Sequence, residues 1–308
     1  MKTALQKNFL VILYVIVILF GVKAPTLAQV ETPAAIQNNA GLRLLAVTDA
    51  GRPTLRVVLP GHPIADRTIE VLVPEHVTAV KHGSTAAEHL FLPRAGAQVE
   101  RIAWRSVGQT LEYDLQLPGP IAMIAHATLE EDGIRFQYEL SNRSPIQYDM
   151  IYAVTDPRLT GMFHDVRMER TYVHHADGFD LLASDVPARL TLPSNRWLPC
   201  RILASFTWPV PAQRIEKRDD GITYYNKARA VDIPLIITRS MDNEWVVASF
   251  SRAPGNVWSN PELTCQHVDP QASLSPQQRI VLEVKMLVIR GSLEDALREA
   301  SRQRGSLK

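Results

Sequence analysis

A thiol, an imidazole and a carboxylate occupy every second position in the segment TCQHVDPQ, residues 264–271. These groups belong to Cys265, His267 and Asp269. Successive side chains of an extended strand point to opposite faces, so the three would lie on one face at spacings of roughly 6 to 7 Å. Such a row could be a set of metal ligands, half of an acid/base pair, or a disulfide cysteine beside two surface polar residues.

The amino-terminal residues have the layout of a secretory signal. Lys2 and Lys7 precede an apolar run over residues 9–22, and small residues follow up to Ala28. The run is short for a helix that must cross a hydrocarbon core of about 30 Å. We predict a signal peptide over residues 1–28 and a secreted or periplasmic protein, with an uncleaved membrane anchor as the alternative.

Export bears on the cysteines, because oxidising compartments allow disulfides. The chain contains two cysteines, Cys200 and Cys265, and an even number favours pairing. We therefore expect a Cys200–Cys265 disulfide, which would make Cys265 a structural residue.

The charge balance excludes some partners. The chain has 33 basic and 32 acidic residues and no basic cluster. It therefore lacks the electrostatic signature of a nucleic-acid or anionic-membrane partner. No stable membrane insertion is expected after signal cleavage, and the oligomeric state is not indicated.

Alternation of apolar and polar residues predicts a mostly β protein. In residues 134–141, IRFQYELS, one face would pack and the other would contact water, as in antiparallel sheets. Similar segments, rich in β-branched and aromatic residues and separated by turn signals, predict further strands. The predicted strands are 43–49, 55–60, 68–74, 110–117, 121–129, 134–142, 146–154, 233–240, 244–251 and 279–290.

Only the carboxyl end predicts a helix, because Ser292 and Asp295 form a capping-box-like start. We expect a flexible leader over residues 29–41. A single large antiparallel β-sandwich domain with this short C-terminal helix would follow over residues 42–308.

Two stretches carry a family resemblance. Residues 126–154, HATLEEDGIRFQYELSNRSPIQYDMIYAV, combine strand, turn, strand, Asn-Xaa-Ser and strand. Near the end, CQHVDPQ precedes SLSPQQRIVLEVKMLVIRG. Together they resemble the galactose mutarotase-like (aldose 1-epimerase-like) β-supersandwich family. The resemblance implies the β-supersandwich fold and a function in binding or converting sugars.

Epimerases of that family open a sugar ring with a histidine that protonates the ring oxygen and a glutamate that accepts the anomeric proton. Asp269, before Pro-Gln, lies where the family has its glutamate, with a side chain one methylene shorter. The family's histidine motif is missing from residues 150–165, where His164 is the nearest substitute. The catalytic motif set is therefore incomplete, and His267, Asp269 and His164 are the candidate catalytic residues.

A second polar concentration covers residues 163–180, FHDVRMERTYVHHADGFD. If residues 169–175 are extended, His174 and His175 point to opposite faces, which disfavours a paired metal site. Zinc held by His164, His175 and His267 with Asp269 is an alternative only if folding gathers these residues. We expect no metal and no cofactor.

Aromatic residues near the cysteines suggest a carbohydrate ligand. Trp197 precedes Cys200 and Trp258 precedes Cys265, so a disulfide would carry both rings towards His267. Flat rings beside polar groups commonly grip sugars, although both tryptophans could equally be core residues. The candidate substrate-binding residues are Trp197, Trp258, Arg170 and His175.

Two hypotheses of different class follow. The first is an exported carbohydrate-binding protein, with epimerase-like acid/base activity or, as another enzyme class, lyase or hydrolase activity. The second is a non-enzymatic envelope or interaction protein that uses the sandwich as a scaffold. The chain has no Gly-Xaa-Ser-Xaa-Gly elbow, phosphate-binding glycine loop or His-Glu-Xaa-Xaa-His motif.

Overall fold

Long antiparallel strands dominate the computed structural model, which describes residues 34–47, 52–61, 68–93, 102–207 and 215–308. The predicted signal peptide and the first residues of the predicted leader lie outside this part of the chain. Within the described ranges, no helix is both long enough and apolar enough to cross a membrane.

The strands of the first half are β1 (Ala35–Gln37), β2 (Arg43–Val47), β3 (Thr54–Val58), β4 (Thr68–Lys81), β5 (Ala87–Phe91), β6 (Arg105–Val107), β7 (Thr110–Leu117), β8 (Ile121–Glu130), β9 (Gly133–Asn142) and β10 (Tyr148–Leu159). The strands of the second half are β11 (Thr171–His175), β12 (Gly178–Leu181), β13 (Cys200–Ser205), β14 (Ile215–Lys217), β15 (Thr223–Asn226), β16 (Leu235–Arg239), β17 (Trp245–Ser251), β18 (Asn256–Ser259), β19 (Gln271–Leu274) and β20 (Arg279–Arg290). The helices are a 3₁₀ turn at Gly161–Phe163, α1 (Ala188–Thr191), α2 (Ser194–Trp197) and α3 (Leu293–Arg304).

The described strands form three sheets. The first sheet has the order β1-β2-β3-β4-β10-β19, with β5 also paired to β4. The second has the order β12-β11-β16-β17-β20-β9-β8-β7-β6, and the third has the order β14-β15-β13-β18. Pairing is antiparallel throughout the described ladders, except that β13 and β15 are parallel.

Apolar side chains from the first and second sheets share one core, which explains the alternation read from the sequence. Along β8 every second residue is buried, and Met123 of this strand joins the same cluster as Val57 and Val71 of the first sheet. A smaller cluster lies under α3, where Leu293 and Ala296 pack with residues of β16 and β17. The predicted fold class, a mostly β antiparallel sandwich with a short C-terminal helix, is confirmed.

The helix begins as predicted. The Ser292 hydroxyl accepts a hydrogen bond from the Asp295 backbone, and the Asp295 carboxylate accepts one from the Ser292 backbone. This reciprocal capping box satisfies two donors that a helix start would otherwise leave unpaired.

The predicted flexible leader is wrong for residues 35–41. Ala35–Gln37 form β1, which pairs with β2, and Ile36 packs into the main core. The Asn38 side chain donates to the Glu130 carbonyl oxygen and accepts from the Leu42 backbone. Polar composition suggested a leader, but one buried isoleucine and one bonded asparagine hold the segment in place.

Two strands are longer than predicted, and their additional residues belong to the candidate site. The sequence predicts strand ends at residues 74 and 154, whereas β4 continues through Pro74 to Lys81 and β10 continues through Pro157 to Leu159. Proline cannot donate to a ladder, so it ordinarily indicates a strand end. Here the β4–β10 register shifts between Val154 and Asp156, which lets both strands continue past the prolines.

Gly133 offers a test of the close packing between β9 and β20. Its φ is +150°, and a Cβ atom there would lie 2.0 Å from the Met286 carbonyl oxygen. We expect Gly133→Ala to lower the free energy of unfolding by roughly 3 kcal/mol or more, because backbone rather than a flexible side chain must move. Urea denaturation would measure the loss.

The matched control is Gly108→Ala. Gly108 also has a positive φ, +58°, but no atom lies within 4 Å of the position that a Cβ would take there. The left-handed conformation alone should cost about 1–2 kcal/mol. Equal losses for the two variants would contradict the packing account.

Candidate functional site

The segment that carries Cys265, His267 and Asp269 lies between the first and third sheets. Cys265 forms an isolated bridge with Arg158 of β10, and His267 forms one with Trp258 of β18. The His267 and Trp258 backbones exchange hydrogen bonds of 3.0 and 3.1 Å. The segment is thus extended, as the alternation predicted, although it is bridged rather than part of a continuous ladder.

Gln266 confirms that successive side chains point to opposite sides. Its amide is buried on the other side of the segment, where it accepts from the Ser249 hydroxyl and donates to Thr238 and to the Val247 carbonyl oxygen. Cys265 and His267 consequently share the side that faces β10.

His267 meets a buried carboxylate on β10. Its Nε2 lies 3.3 Å from Asp156 Oδ1, and the two side chains are only 1% and 2% exposed. Asp156 Oδ2 accepts a 2.6 Å hydrogen bond from Arg158 Nε, and Arg158 Nη2 donates to Glu75 Oε1 at 3.2 Å. A chain of alternating charges therefore runs from His267 to the partly exposed Glu75.

Asp269 lies on the other side of the imidazole. Its Oδ2 is 3.5 Å from His267 Nδ1, a charge contact that lacks the geometry of a hydrogen bond. Within the described residues, His267 Nδ1 and Asp269 Oδ1 are both buried atoms with no hydrogen-bond partner. The Asp269 side chain as a whole is 15% exposed.

The predicted disulfide is not formed, because both cysteines are free, buried thiols. Cys265 Sγ accepts a 2.8 Å hydrogen bond from Asn260 Nδ2 and lies beside Asp156 and His267. Cys200, on β13, belongs to the apolar core instead. The two sulfur atoms thus have separate environments, and Cys265 is part of the polar cluster rather than a covalent link.

Charge complementarity sets the protonation of the central pair. Burial alone would lower the pKa of His267, but the Cys265 sulfur and the carboxylates of Asp156 and Asp269 outweigh burial and hold it well above its usual range. Burial opposes ionisation of Asp156 too, yet His267 and Arg158 keep its pKa below the usual value. Both shifts favour the form of the pair in which His267 is an imidazolium and Asp156 a carboxylate.

The pKa values of the surrounding acidic groups are raised, unlike that of Asp156. Burial raises the pKa of Asp269 despite the neighbouring imidazolium. Burial, together with the charge of Asp156, raises the pKa of Glu75. Burial also raises the pKa of the Cys265 thiol, against the effect of His267.

Trp258 packs directly on the imidazole. The two rings are parallel within 2°, with centroids 3.7 Å apart. The Arg201 guanidinium carbon lies 5.9 Å from the indole centroid. Trp258 therefore covers His267, and a ligand would find at most one indole face, over which Arg201 already lies.

Partly exposed rings border the cluster along β4 and β10. The His76 ring centroid is 5.7 Å from that of Tyr152 and 5.2 Å from that of His89. Thr78 Oγ1 lies 2.9 Å from His76 Nδ1 and 2.8 Å from His89 Nδ1. Burial, with the charges of His89 and His267, lowers the pKa of His76 to about 4.

The structure brings together His267, Asp269 and Trp258 and places the other candidates elsewhere. His164 is exposed, with its Nε2 3.3 Å from the Pro261 carbonyl oxygen, and Trp197 is a core residue that is 2% exposed. Arg170 donates to the backbone carbonyl oxygens of Met162 and Arg239. His175 is buried with its Nδ1 2.8 Å from the Ala230 carbonyl oxygen, while His174, facing the opposite side, contacts Asp232.

Asp156, Arg158 and Glu75 are the site residues that sequence reasoning missed. They stand in the short segments Pro74-Glu75-His76 and Asp156-Pro157-Arg158, each just beyond a predicted strand end. A charged residue beside a proline that interrupts a strand is the signal that could have located them.

Among the groups of the cluster, Asp156, Cys265 and His267 could hold a metal ion. Each offers one ligand atom, and the three atoms lie within 4.8 Å of one another. Three surface depressions of about 550, 480 and 300 Å³ have linings that include none of these residues. Asp156, Cys265 and His267 are nearly fully buried, while Glu75 and Asp269 at the edge of the cluster are partly exposed.

No family model matches the chain, and no curated protein matches its sequence. Among solved structures, it is similar to a galactose mutarotase related enzyme from Lactobacillus acidophilus, with 11% identity, coverage of 85% of this chain and 98% of the other, and a TM-score of 0.48. A putative aldose 1-epimerase from Escherichia coli K12 is 8% identical, with coverage of 84% and 99% and a TM-score of 0.49.

An α-N-acetylgalactosaminidase from Bifidobacterium bifidum in complex with GalNAc is 11% identical, with a TM-score of 0.48. The similarity covers 87% of this chain but 38% of that protein. The identities are 8–11% and the TM-scores lie below 0.5, so these similarities do not indicate the activity of the chain.

Removing the charge of Asp156 tests the buried pair. We expect Asp156→Asn to lower the free energy of unfolding by roughly 3 to 5 kcal/mol, because it leaves His267 and Arg158 short of their buried anion. Chemical denaturation at neutral pH would measure this. Glu244→Gln is the control, because it breaks an exposed pair with Arg290 and should cost under about 1 kcal/mol. A similar, small loss in both variants would contradict the account.

His76 should make the protein less stable in mild acid. The unfolded chain would bind a proton near pH 6.5 and the folded chain only near pH 4, so the free energy of unfolding falls as the pH drops through this window. Burial and the charges of His89 and His267 lower the pKa of His76, whereas the charge of Asp156 raises it.

We expect His76→Gln to flatten the dependence of stability on pH between about 6.5 and 4. Urea denaturation at a series of pH values would measure it. His82→Gln, which changes an exposed histidine paired with Asp149, is the control. An unchanged slope in His76→Gln would contradict the assignment.

Proposed function

We propose that the protein binds a carbohydrate at the partly exposed border of the cluster, formed by Glu75, His76, Tyr152 and Asp269 and called the rim below. One observation carries the proposal. The Asp269 side chain is 15% exposed, while its Oδ1 is a buried atom without a hydrogen-bond partner in the described residues. A carboxylate that reaches the surface and whose acceptors are not all used by the protein favours a ligand that donates a hydroxyl proton.

The rim combines aromatic rings with hydrogen-bond acceptors, as sugar-binding sites commonly do. Tyr152 and His76 supply partly exposed rings, arranged edge to face with an angle of 77° between their planes. Glu75, 33% exposed, supplies a second carboxylate. Apolar ring surface beside a few orienting acceptors is the usual composition of a site for polar, uncharged ligands.

The charges at the rim favour a neutral ligand over an anionic one. The guanidinium of Arg158 is already occupied by Asp156 and Glu75. An anionic ligand would instead meet the carboxylates of Glu75 and Asp269. A neutral saccharide, rich in hydroxyl donors, avoids this repulsion.

A finer proposal is epimerase-like acid/base activity on the bound sugar. Ring opening requires one group that accepts the anomeric proton and another that donates a proton to the ring oxygen. Glu75 and Asp269 are two carboxyl groups at the same rim, close enough that the charge of Asp269 acts on Glu75. Because the amino terminus has the layout of an export signal, extracytoplasmic saccharides are the ones to test.

Glycan-array screening followed by titration calorimetry tests the binding. We expect a saccharide that binds with a dissociation constant below about 1 mM, and Asp269→Ala should weaken it by about tenfold or more, since a hydrogen bond to a charged group is lost. Asp114→Ala, at a carboxylate on β7 that is 65% exposed, is the matched control. Absence of binding by the wild-type protein, or equal weakening in both variants, would contradict the proposal and favour the scaffold hypothesis.

The same saccharide serves to test turnover. Exchange between its anomers, followed by nuclear magnetic resonance, should be faster with the wild-type protein than with Asp269→Ala. Binding without faster exchange would reject the epimerase-like part and leave the binding site in place.

A further inference from the structure

We infer that Asp156, Cys265 and His267 bind a thiol-seeking divalent metal ion such as Zn²⁺. The three residues come from two separate parts of the chain, β10 and the bridged segment after β18, and each side chain is nearly fully buried. The inference goes beyond carbohydrate binding and is tested without any saccharide.

The distances fit a tetrahedral ion. Zinc bonds to nitrogen and oxygen of about 2.0–2.1 Å place two such ligand atoms roughly 3.4 Å apart. His267 Nε2 and Asp156 Oδ1 are 3.3 Å apart. All three ligand atoms lie within 4.8 Å of one another, so closure of the sulfur onto an ion needs a side-chain movement of at most about 1 Å.

Each ligand also has a neighbour that would orient it. Asn260 Nδ2 donates to Cys265 Sγ at 2.8 Å, and Arg158 Nε donates to Asp156 Oδ2 at 2.6 Å. These contacts leave the second carboxylate oxygen of Asp156 for the ion. Supporting hydrogen bonds of this kind are typical of metal ligands.

One unpaired atom points to the same arrangement. A metal-bound histidine ordinarily gives its other ring N–H to a carboxylate. With the ion on Nε2, His267 Nδ1 would carry the proton and face Asp269 Oδ2, now 3.5 Å away. His267 Nδ1, a buried atom without a hydrogen-bond partner in the described residues, thereby gains a role.

The local charges accommodate a dication. Within the described part of the chain, the carboxyl groups of Glu75, Asp156 and Asp269 surround this point, with Arg158 and His267 as the cations. A bound dication would displace one proton from His267 Nε2 and one from the Cys265 thiol, so the net charge of the cluster would stay the same. One sulfur, one imidazole and one carboxylate favour Zn²⁺ or Co²⁺ over Mg²⁺ or Ca²⁺.

Cobalt is the probe for the test, because a thiolate bound to Co²⁺ gives a charge-transfer absorption band. The purified full chain, freed of metal with a chelator, is titrated with Co²⁺. We expect one equivalent to bind, with this band, and Zn²⁺ to displace it. Cys265→Ser should abolish the band, whereas Cys200→Ser, which changes the other buried thiol, should keep it.

Further variants separate ligation from folding. Asp156→Asn and His267→Gln should weaken Co²⁺ binding by about 100-fold or more, and His76→Gln, a nearby imidazole outside the ligand set, should not. If Cys265→Ser does not fold, the band in Cys200→Ser still assigns the sulfur to Cys265, because the chain has two cysteines. No Co²⁺ uptake by the wild-type protein, or a band that persists in Cys265→Ser, would overturn the inference.

Discussion

The contact between Asp156 and His267 is the constraint on which the rest of the site depends. Two ionisable side chains, almost completely buried and 3.3 Å apart, join β10 of the first sheet to the segment that borders the third sheet. Burying charges is costly unless they are paired and hydrogen-bonded. Arg158, Asp269 and the Cys265 sulfur supply that compensation, so each of these side chains has its place because of the central pair.

The same constraint divides the site into a closed interior and an open border. Trp258 stacks on His267 and shields it, while the backbones of the two residues bond to each other. A ligand from solvent therefore meets the rim, and an ion small enough to lie among buried side chains meets the interior. The proposed carbohydrate site and the proposed metal site are therefore adjacent, and His267, a proposed metal ligand, also contacts Asp269 of the rim.

Local patterns predicted the scaffold, because they act over a few residues. Strict alternation located β9, whose apolar face packs in the core, and the Ser292–Asp295 spacing located the start of α3. The site depends on contacts between distant parts of the chain, which no local pattern contains. Asp156 and Cys265 are more than a hundred residues apart in sequence.

The particular errors have physical causes. Pro74 and Pro157 suggested strand ends, which concealed Glu75 and Asp156, whereas a register shift lets both strands continue. The even number of cysteines favoured a disulfide, but a count says nothing about the distance between them. Cys265 instead accepts a hydrogen bond from Asn260. The structure brings His267, Asp269 and Trp258 together because the segment after β18 folds back and pairs with that strand. The positions of Trp197, His164, Arg170 and His175 depend on contacts between distant parts of the chain.

A double-mutant cycle between Asp156 and His267 tests the central interaction most directly. The free energy of unfolding is measured for the wild-type protein, Asp156→Asn, His267→Gln and the double variant, all in the presence of a chelator. If the two side chains stabilise each other, the summed costs of the single substitutions exceed the cost of the double substitution by at least about 1.5 kcal/mol. Costs that add to within about 0.5 kcal/mol would contradict the account.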